Sequence, residues 1–343
     1  MAEPHAGSAG APVSEPVRWG ILGTAAIARA SFLPGLAAAG GGTAYAVGGR
    51  NVERTAAWAR EQHVMHALTP PAGVLADPDV EAIYVPLPNA LHAEWTIAAL
   101  EAGKAVLCEK PLCRDGEETA RVLEVARGTG GLLWEAFVFP FNPQNTLVRG
   151  LIGDGAIGEL RAIHAEFHFR LADTTDIRFD RDLAGGALND LGCYPIRLAR
   201  LLFDAEPEHA AATQFVSATG VELQSAGCLT FLDRQLLFSC GFDRPASSFA
   251  RAVGTAGELR ISNAYHPAAA STVELWQGGR LVATHAGPPL PSFAYALRHI
   301  HHVLRGRADP THLAVDDALG NARALDLVRA AWAPPAPVPT TED

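Results

Sequence analysis

The chain has 343 residues, of which 48% are hydrophobic and 19% are charged. That length and composition predict about two domains with sizeable cores and exclude a disordered or collagen-like chain. Its 27 basic and 37 acidic residues sum to a net charge of −10. Because like charges repel, this balance disfavours nucleic acid and anionic membrane surfaces as partners.

No stretch approaches the roughly 20 apolar residues that a membrane-spanning helix needs. Residues 1–16 lack both the basic and the apolar part of a signal peptide, so we expect a disordered leader there. The five cysteines are scattered and form no C-x-x-C pair, which predicts neither a disulfide framework nor a zinc site. Together these features favour a soluble protein of the cytoplasm.

Short apolar runs alternate with helical stretches in the first third of the chain. Strands separated by helices of about 10–15 residues imply right-handed β–α–β units and a doubly wound parallel sheet. The predicted strands are Arg18–Leu22, Thr43–Val47, Ala82–Pro86, Ala105–Cys108 and Leu132–Trp134, and the predicted helices are Ala25–Ala39, Val52–Gln62, His92–Ala102 and Gly116–Arg127.

The pattern changes beyond residue 155, where apolar and polar side chains alternate along Glu159–Leu171. Such alternation indicates a strand with one face in a core and one polar face, here carrying His164, Glu166, His168 and Arg170. More strand candidates follow in succession, which predicts a large antiparallel sheet with helices on one face. The strands are Ala212–Ala218, Gly227–Leu232, Gln235–Phe242, Phe249–Val253, Glu258–Ser262, Thr272–Trp276 and Leu281–Thr284, and the helices are Asn189–Leu202, Ser292–Arg305 and Val315–Trp332.

The first strand-to-helix turn, Gly23-Thr24-Ala25-Ala26-Ile27, lies where a dinucleotide-binding turn would be. A helix that begins there would direct its free backbone N–H groups at a pyrophosphate. Only the first glycine of the G-x-G-x-x-G template is present, since Ala25 and Ala28 stand in the other two places. An ordinary helix-start turn would fit this segment about as well.

The second strand ends at Gly48-Gly49-Arg50, where NAD-dependent enzymes commonly place an acidic residue for the ribose 2′-hydroxyl. A guanidinium suits the 2′-phosphate of NADP instead. The segment therefore favours NADP(H) over NAD(H). A solvated arginine at the start of a helix is the alternative.

Three motifs follow in order: Pro88-Asn-x-x-His92, Glu109-Lys110-Pro111 and GGALNDLGCYP at 185–195. On these motifs the chain closely resembles, over residues 17–332, the glucose–fructose oxidoreductase/inositol dehydrogenase (Gfo/Idh/MocA) family. The resemblance implies an NADP-binding Rossmann domain at 17–140 and a substrate and oligomerisation domain at 141–332. The second domain would be α+β, with a large, mostly antiparallel open-faced sheet, and residues 333–343 would be a disordered Pro-rich tail.

The family's open sheet face often forms a dimer or tetramer interface, so the resemblance implies a homodimer or homotetramer. An interface there would explain the polar side chains of His164, Glu166 and His168 on one strand face. A metal site is the alternative for that trio. We predict none, because no matching cysteine or carboxylate cluster accompanies it.

Lys110 follows a predicted parallel strand, at the edge where open α/β sheets place their ligands. Pro111 keeps the backbone of Lys110 extended, which gives the ammonium a fixed direction. The resemblance implies that Lys110 lies beside the nicotinamide and hydrogen-bonds the reacting oxygen, and that Glu109 binds the cofactor and orients the loop. A generic surface lysine is the alternative.

The segment Asp190-x-Gly192-x-Tyr194 has tyrosine where many family members have histidine. We expect the nearby ammonium of Lys110 to lower the pKa of the phenol, so that the pair protonates an alkoxide formed from a ketone. We predict Asp190 and Arg178 as positioning or cofactor-binding residues. A core tyrosine and a solvated loop arginine are the alternatives.

The predicted site has a catalytic pair, Lys110 and Tyr194, which also contact substrate together with Phe139. Phe137, Tyr265 and Trp276 could stack on a sugar or base, although core packing is the expectation for most aromatic side chains. Cofactor binding is assigned to Gly23, Thr24, Ala25, Ala26, Ile27, Gly49, Arg50, Leu87, Asn89, His92, Glu109, Lys110, Arg178 and Asp190.

Within the family the resemblance is closest to the NDP-hexose 3-ketoreductases of deoxysugar biosynthesis. It rests on the segments Tyr84–Pro88, His92–Trp95, Asp176–Phe179 and Gly192–Arg197. The run Glu135–Gln144 departs from that subgroup, because Ala136 and Asn142 replace an amide and an imidazole near the expected substrate pocket. That departure leaves the sugar substrate open.

The resemblance implies NADPH-dependent reduction of a keto group, at C3, on a dTDP-linked deoxysugar. An NADP-dependent sugar 1-dehydrogenase or dihydrodiol dehydrogenase, using the same residues in the oxidative direction, is the first alternative. A non-catalytic NADP-sensing regulator is the second, and the presence of both Lys110 and Tyr194 argues against it.

Three histidines, His299, His301 and His302, fall in one predicted helix near the C-terminus. Apolar side chains at helical spacing mark the buried face of that helix. We therefore expect the three histidines on its outer face. The apolar residues are Phe293, Leu297, Ile300 and Leu304.

Overall fold

The computed structural model describes residues 15–310 and 315–332. Residues 1–14 of the leader expected at 1–16 therefore lie outside the described residues. The tail expected at 333–343 lies outside them as well. Two sheets organise the described chain, one of six strands and one of eight. This confirms the predicted fold class, a doubly wound Rossmann sheet followed by a large, mostly antiparallel sheet.

The first sheet is parallel throughout, in the order β3-β2-β1-β4-β5-β6. Both of its faces are covered, and every residue of β4 and β5 is buried, which is why these strands read as continuous apolar runs. Its strands are β1 (Val17–Leu22), β2 (Gly42–Gly48), β3 (His66–Leu68), β4 (Ala82–Val85), β5 (Ala105–Cys108) and β6 (Leu133–Glu135).

Five helices alternate with these strands, and a π-helical turn, Ala28–Phe32, leads into the first. They are α1 (Leu33–Ala39), α2 (Val52–Glu61), α3 (Gly73–Ala76), α4 (His92–Glu101) and α5 (Gly116–Thr129). All five predicted strands and all four predicted helices are present. Strand β3 and helix α3 are additional, since elements of three and four residues carry no periodicity that a sequence could reveal.

The second sheet has the order β14-β13-β12-β11-β7-β10-β9-β8. Only β7 and β10 pair in parallel, and all other neighbours in this sheet are antiparallel. Every predicted strand is confirmed. The strands are β7 (Leu160–His168), β8 (His209–Val216), β9 (Glu222–Phe231), β10 (Arg234–Gly241), β11 (Ser247–Gly254), β12 (Gly257–Ser262), β13 (Thr272–Gln277) and β14 (Arg280–Ala286).

Four further α-helices follow in the described chain, and two of them pack on the second sheet. Helix α7 packs on β7 and β10, and α9 packs on β8 while its other side contacts α5 of the first domain. Helix α6, which was not predicted, begins at an Asn142 cap followed by a proline. The four are α6 (Pro143–Gly153), α7 (Cys193–Phe203), α8 (Ser292–Leu304) and α9 (Val315–Ala331).

Helix α8 packs against α1, so the expectation that it covers the second sheet is wrong. Its apolar side chains, among them Phe293, Leu297 and Ile300, belong to the core on the first sheet. The physical reason is that the apolar stripe of a helix specifies burial but not which sheet supplies the partner. None of the helices within residues 15–310 and 315–332 is long and apolar enough to cross a membrane.

The expectation that His301 lies on an outer helix face is also wrong, because this side chain is only 1% exposed. Its Nε2 accepts a hydrogen bond from the indole N–H of Trp19 (3.0 Å), and its Nδ1 lies 2.8 Å from the carbonyl oxygen of Gly40. A neutral imidazole satisfies both contacts, and burial lowers the pKa of His301 to about 4. His302 is exposed, as expected.

Candidate active site

A cleft of about 500 Å³ opens where β1, β4 and β5 end, between the first sheet and the segments that lead into α7. Strand order reverses beside β1, and open α/β sheets bind their ligands at such a point. Ten of the predicted site residues line this one cleft. They are Ala25, Ala26, Ile27, Leu87, Asn89, Glu109, Lys110, Arg178, Asp190 and Tyr194.

The turn after β1 requires a glycine at position 23. Gly23 has a φ of 84°, which favours glycine over residues with a side chain, and its N–H donates to the carbonyl of Gly48 (2.6 Å). The small residues Ala25 and Ala26 then line the cleft. Thr24 belongs to the same turn but does not line the cleft.

Gly49 and Arg50 lie beyond that turn, at the end of β2, and do not line the cleft. A Cβ at Gly49 would collide with the hydroxyl of Thr55, so this position also needs glycine. Asn51 caps α2 through the backbone N–H of Arg54 (2.8 Å). Arg50 is exposed, and no described residue pairs with its guanidinium.

His92 is fully buried beneath the cleft rather than on its surface. Its Nδ1 lies 2.8 Å from the carbonyl oxygen of Pro111, and its Nε2 lies 2.7 Å from that of Leu87. The side chain thus joins the loop after β4 to the loop after β5. Asn89 makes a similar connection across the cleft, since its amide donates to the carbonyl of Ala184 (2.9 Å).

Lys110 and Arg178 meet at one carboxylate, that of Asp190. The ammonium of Lys110 donates to Oδ1 of Asp190 (2.7 Å) and to its backbone carbonyl (2.7 Å), and Nε of Arg178 donates to Oδ2 (2.6 Å). Arg178 also pairs with Asp176 (3.1 Å). Charges of alternating sign therefore run from the loop before α7 to the end of β5.

These contacts set the protonation states. Burial alone would lower the pKa of Lys110, but the carboxylate of Asp190 outweighs it and raises the pKa. Burial alone would raise the pKa of Asp190, but Lys110 and Arg178 lower it to about 2. Burial raises the pKa of Glu109, whose Oε1 accepts from the hydroxyl of Tyr84 (2.6 Å).

Tyr194 lies on the first turn of α7, with the ammonium of Lys110 5.1 Å from the centroid of its ring. The expectation that Lys110 lowers the pKa of this phenol is wrong in its net direction. Only 6% of the residue is exposed, and its burial raises the pKa by more than Lys110 lowers it. Tyr194 therefore holds its proton through neutral pH.

His266, which was not predicted as a site residue, lines the cleft with its Nε2 3.3 Å from the hydroxyl of Tyr194. It lies in the segment between β12 and β13, where no motif marked it. It comes four residues after the end of β12, so no local signal in the sequence pointed to it. Phe167 of β7 lines the same wall, and its ring centroid is 5.2 Å from that of Tyr194.

Phe139, predicted to contact substrate, is instead fully buried behind Tyr194, with 6.2 Å between their ring centroids. Asn142 is likewise buried, capping α6 and donating to the hydroxyl of Ser292 (3.0 Å), whereas Ala136 does line the cleft. Trp276 does not line the cleft, and its ring centroid lies 4.0 Å from the guanidinium carbon of Arg260.

Comparison with known proteins gives two family matches. Residues 17–137 match the oxidoreductase family with an NAD-binding Rossmann fold (GFO_IDH_MocA), and residues 146–260 match the GFO/IDH/MocA C-terminal domain. The chain is 40% identical over 258 residues to a dTDP-3,4-didehydro-2,6-dideoxy-alpha-D-glucose 3-reductase of Streptomyces violaceoruber, over 74% of this chain and 75% of that protein. It is 35% identical over 268 residues to D-xylose 1-dehydrogenase (NADP(+)) 2 of Haloferax volcanii, over 77% and 82% of the two chains.

One solved structure is similar over nearly the whole chain. It is KijD10, a 3-ketoreductase from Actinomadura kijaniata in complex with NADP and TDP-benzene, with a TM-score of 0.86 and 32% identity. The match covers 93% of this chain and 98% of that one. Together with the two domain matches, it establishes that the chain belongs to the Gfo/Idh/MocA family of oxidoreductases, as its motifs predicted.

Proposed function

We propose that the protein is an NADPH-dependent ketoreductase that reduces the C3 keto group of a dTDP-linked deoxysugar. One observation carries the proposal. The ammonium of Lys110 lies 5.1 Å from the ring centroid of the protonated Tyr194, in a cleft that is also lined by the turn after β1. The relatives reported above, a dTDP-sugar 3-reductase and a 3-ketoreductase bound to NADP and TDP-benzene, support this choice of substrate class.

The residues at the nucleotide end of the cleft fit NADP(H). The glycine conformation at Gly23 and the small side chains of Ala25 and Ala26 leave room for a pyrophosphate beside a helix start. The exposed guanidinium of Arg50, which pairs with none of the described residues, suits a 2′-phosphate at the end of β2. Bound NADPH would supply the hydride for the ketone.

Lys110 and Tyr194 would divide the remaining work. Lys110 donates two of its three N–H bonds to Asp190, which leaves one for the carbonyl oxygen of the substrate. Its positive charge favours the negative charge that develops on that oxygen. Tyr194 would then give the oxygen its proton as general acid.

A sugar 1-dehydrogenase is the second candidate, because the Haloferax volcanii relative has that activity. The same two residues would serve it in reverse, with Tyr194 taking the proton of an alcohol. The two candidates differ in the ligand that fills the outer cleft. A ketoreductase of dTDP-sugars binds a nucleoside diphosphate there, whereas a dehydrogenase of free sugars does not.

Thermal unfolding in the presence of ligands separates these candidates. We expect NADPH to raise the melting temperature more than NADH, and dTDP to raise it further in the presence of NADPH. A ligand at 100 times its dissociation constant adds about 2.7 kcal/mol of stability, which such an experiment detects easily. No shift with dTDP, together with a shift with pentoses or hexoses, would contradict the proposal and favour the dehydrogenase.

Substitution of the catalytic pair tests the mechanism. We expect Lys110→Ala and Tyr194→Phe each to lower kcat by about 10²–10⁴-fold, since each removes a group that acts on the reacting oxygen. Tyr45→Phe makes the same chemical change outside the cleft, at a hydroxyl 3.2 Å from Asp79, and should keep wild-type turnover. Turnover within a few-fold of wild type for either cleft variant would refute the assignment.

We also propose that the open face of the second sheet forms a homo-oligomer interface. A broad depression of about 1030 Å³ on that face is lined by His164, Glu166 and the half-exposed Leu237. His168, the third residue of the polar trio predicted on β7, does not line this depression. It is buried, and its Nε2 lies 2.9 Å from the hydroxyl of Ser239.

We further propose a cytoplasmic location, which the five free cysteines support and which cell fractionation would test.

Sedimentation velocity tests the interface. Leu237→Asp puts a charge in the lining of the depression, and we expect it to convert the wild-type dimer or tetramer to smaller species. Met65→Asp makes a comparable change at an exposed apolar residue of the first domain and should leave the assembly intact. A monomeric wild-type protein, or an unchanged Leu237→Asp assembly, would contradict the proposal.

A further inference from the structure

His266 is placed to act on the proton of Tyr194. Its imidazole lines the cleft, with Nε2 3.3 Å from the phenol oxygen and with the two ring centroids 5.2 Å apart. Phe167 lies against the same imidazole (5.7 Å between centroids) and limits where it can move. Both residues line the cleft, but His266 is exposed whereas Tyr194 is only 6% exposed.

After Tyr194 has donated its proton, the resulting phenolate must be reprotonated before the next turnover. The residue is 6% exposed, so a phenolate there has little water to stabilise it or to return a proton. Lys110 cannot return one either, since Asp190 and the substrate oxygen occupy its three N–H donors. Within the described part of the chain, His266 is the one side chain that hydrogen-bonds the phenol oxygen.

A neutral imidazole suits this task. Desolvation by the cleft walls and the nearby charge of Lys110 lower the pKa of His266, so the ring is neutral near pH 7. A neutral ring carries one N–H donor and one free lone pair on its two nitrogens. No described residue hydrogen-bonds its Nδ1, which leaves that nitrogen for water in the cleft.

We propose that His266 is a proton relay that returns a proton from water in the cleft to Tyr194. The inference rests on the ketoreductase function proposed above. After the phenol O–H bond breaks and the substrate oxygen takes its proton, the N–H bond at Nε2 breaks and its proton passes to the phenolate. Nδ1 takes a proton from a water molecule, and the hydroxide left behind leaves the cleft, so each turnover consumes one solvent proton. The ring then returns to its Nε2–H tautomer when water in the cleft accepts the proton of Nδ1 and supplies one to Nε2, and the imidazole is neutral again for the next cycle.

The relay is tested by following the pre-steady-state oxidation of NADPH by the His266→Gln variant. The substrate is the keto sugar that the wild-type enzyme reduces. The glutamine amide keeps a hydrogen bond to Tyr194 but cannot change tautomer. We expect a burst of about one NADPH per active site at the wild-type rate, followed by steady-state turnover at least about tenfold slower. Added imidazole should accelerate the slow phase of His266→Gln and not that of Tyr194→Phe.

His302→Gln is the matched control, because His302 is exposed on α8 and should give wild-type traces. Steady-state turnover of His266→Gln within twofold of wild type would overturn the relay. The relay would also be overturned if the burst of His266→Gln slowed as much as its steady-state turnover and added imidazole did not restore the rate. That result would mean that His266 only positions Tyr194. Wild-type turnover itself reports on the proposed function, whereas the ratio of variant to wild type reports on the relay.

Discussion

The carboxylate of Asp190 is the contact on which the cleft depends. It accepts from Lys110 at the end of β5 and from Arg178 in the loop before α7, so it ties the first sheet to the second domain. Buried charges are stable only when they are paired, and removal of one partner leaves the others uncompensated. Without this carboxylate, Lys110 would be a buried cation with a lowered pKa and no fixed position.

Two effects determine what chemistry the cleft can do. The contact with Asp190 keeps Lys110 an ammonium and burial keeps Tyr194 a phenol, so the site presents one positive charge and one proton to a substrate oxygen. Preorganised donors of this kind stabilise negative charge without reorganisation during the reaction. The site is thus set for reduction of a ketone, and His266 supplies the connection to solvent that a buried phenol needs for repeated turnover.

Much of this structure could be predicted from the sequence. Period-2 and period-3.6 patterns revealed nearly all strands and helices, and strand ends placed Lys110 at the ligand edge of the sheet. Tertiary contacts without a local signal could not be predicted. Helix α8 packs against α1 of the first domain, and His301 is buried because Trp19 and Gly40 satisfy the hydrogen-bonding groups of its two nitrogens. The proximity of His266 to Tyr194 and the burial that raises the pKa of Tyr194 likewise arise from tertiary packing, which no motif encodes.

The pH dependence of kcat/KM for NADPH-dependent reduction tests the central claim most directly, since it reports the ionisations of the free enzyme. With Lys110 and Tyr194 both held protonated, we predict a flat profile for wild type from about pH 6 to about pH 9. In Asp190→Asn, burial lowers the pKa of Lys110, so activity should fall as the pH rises across that range. A wild-type profile that falls with rising pH, or an Asp190→Asn profile identical to it, would contradict the account.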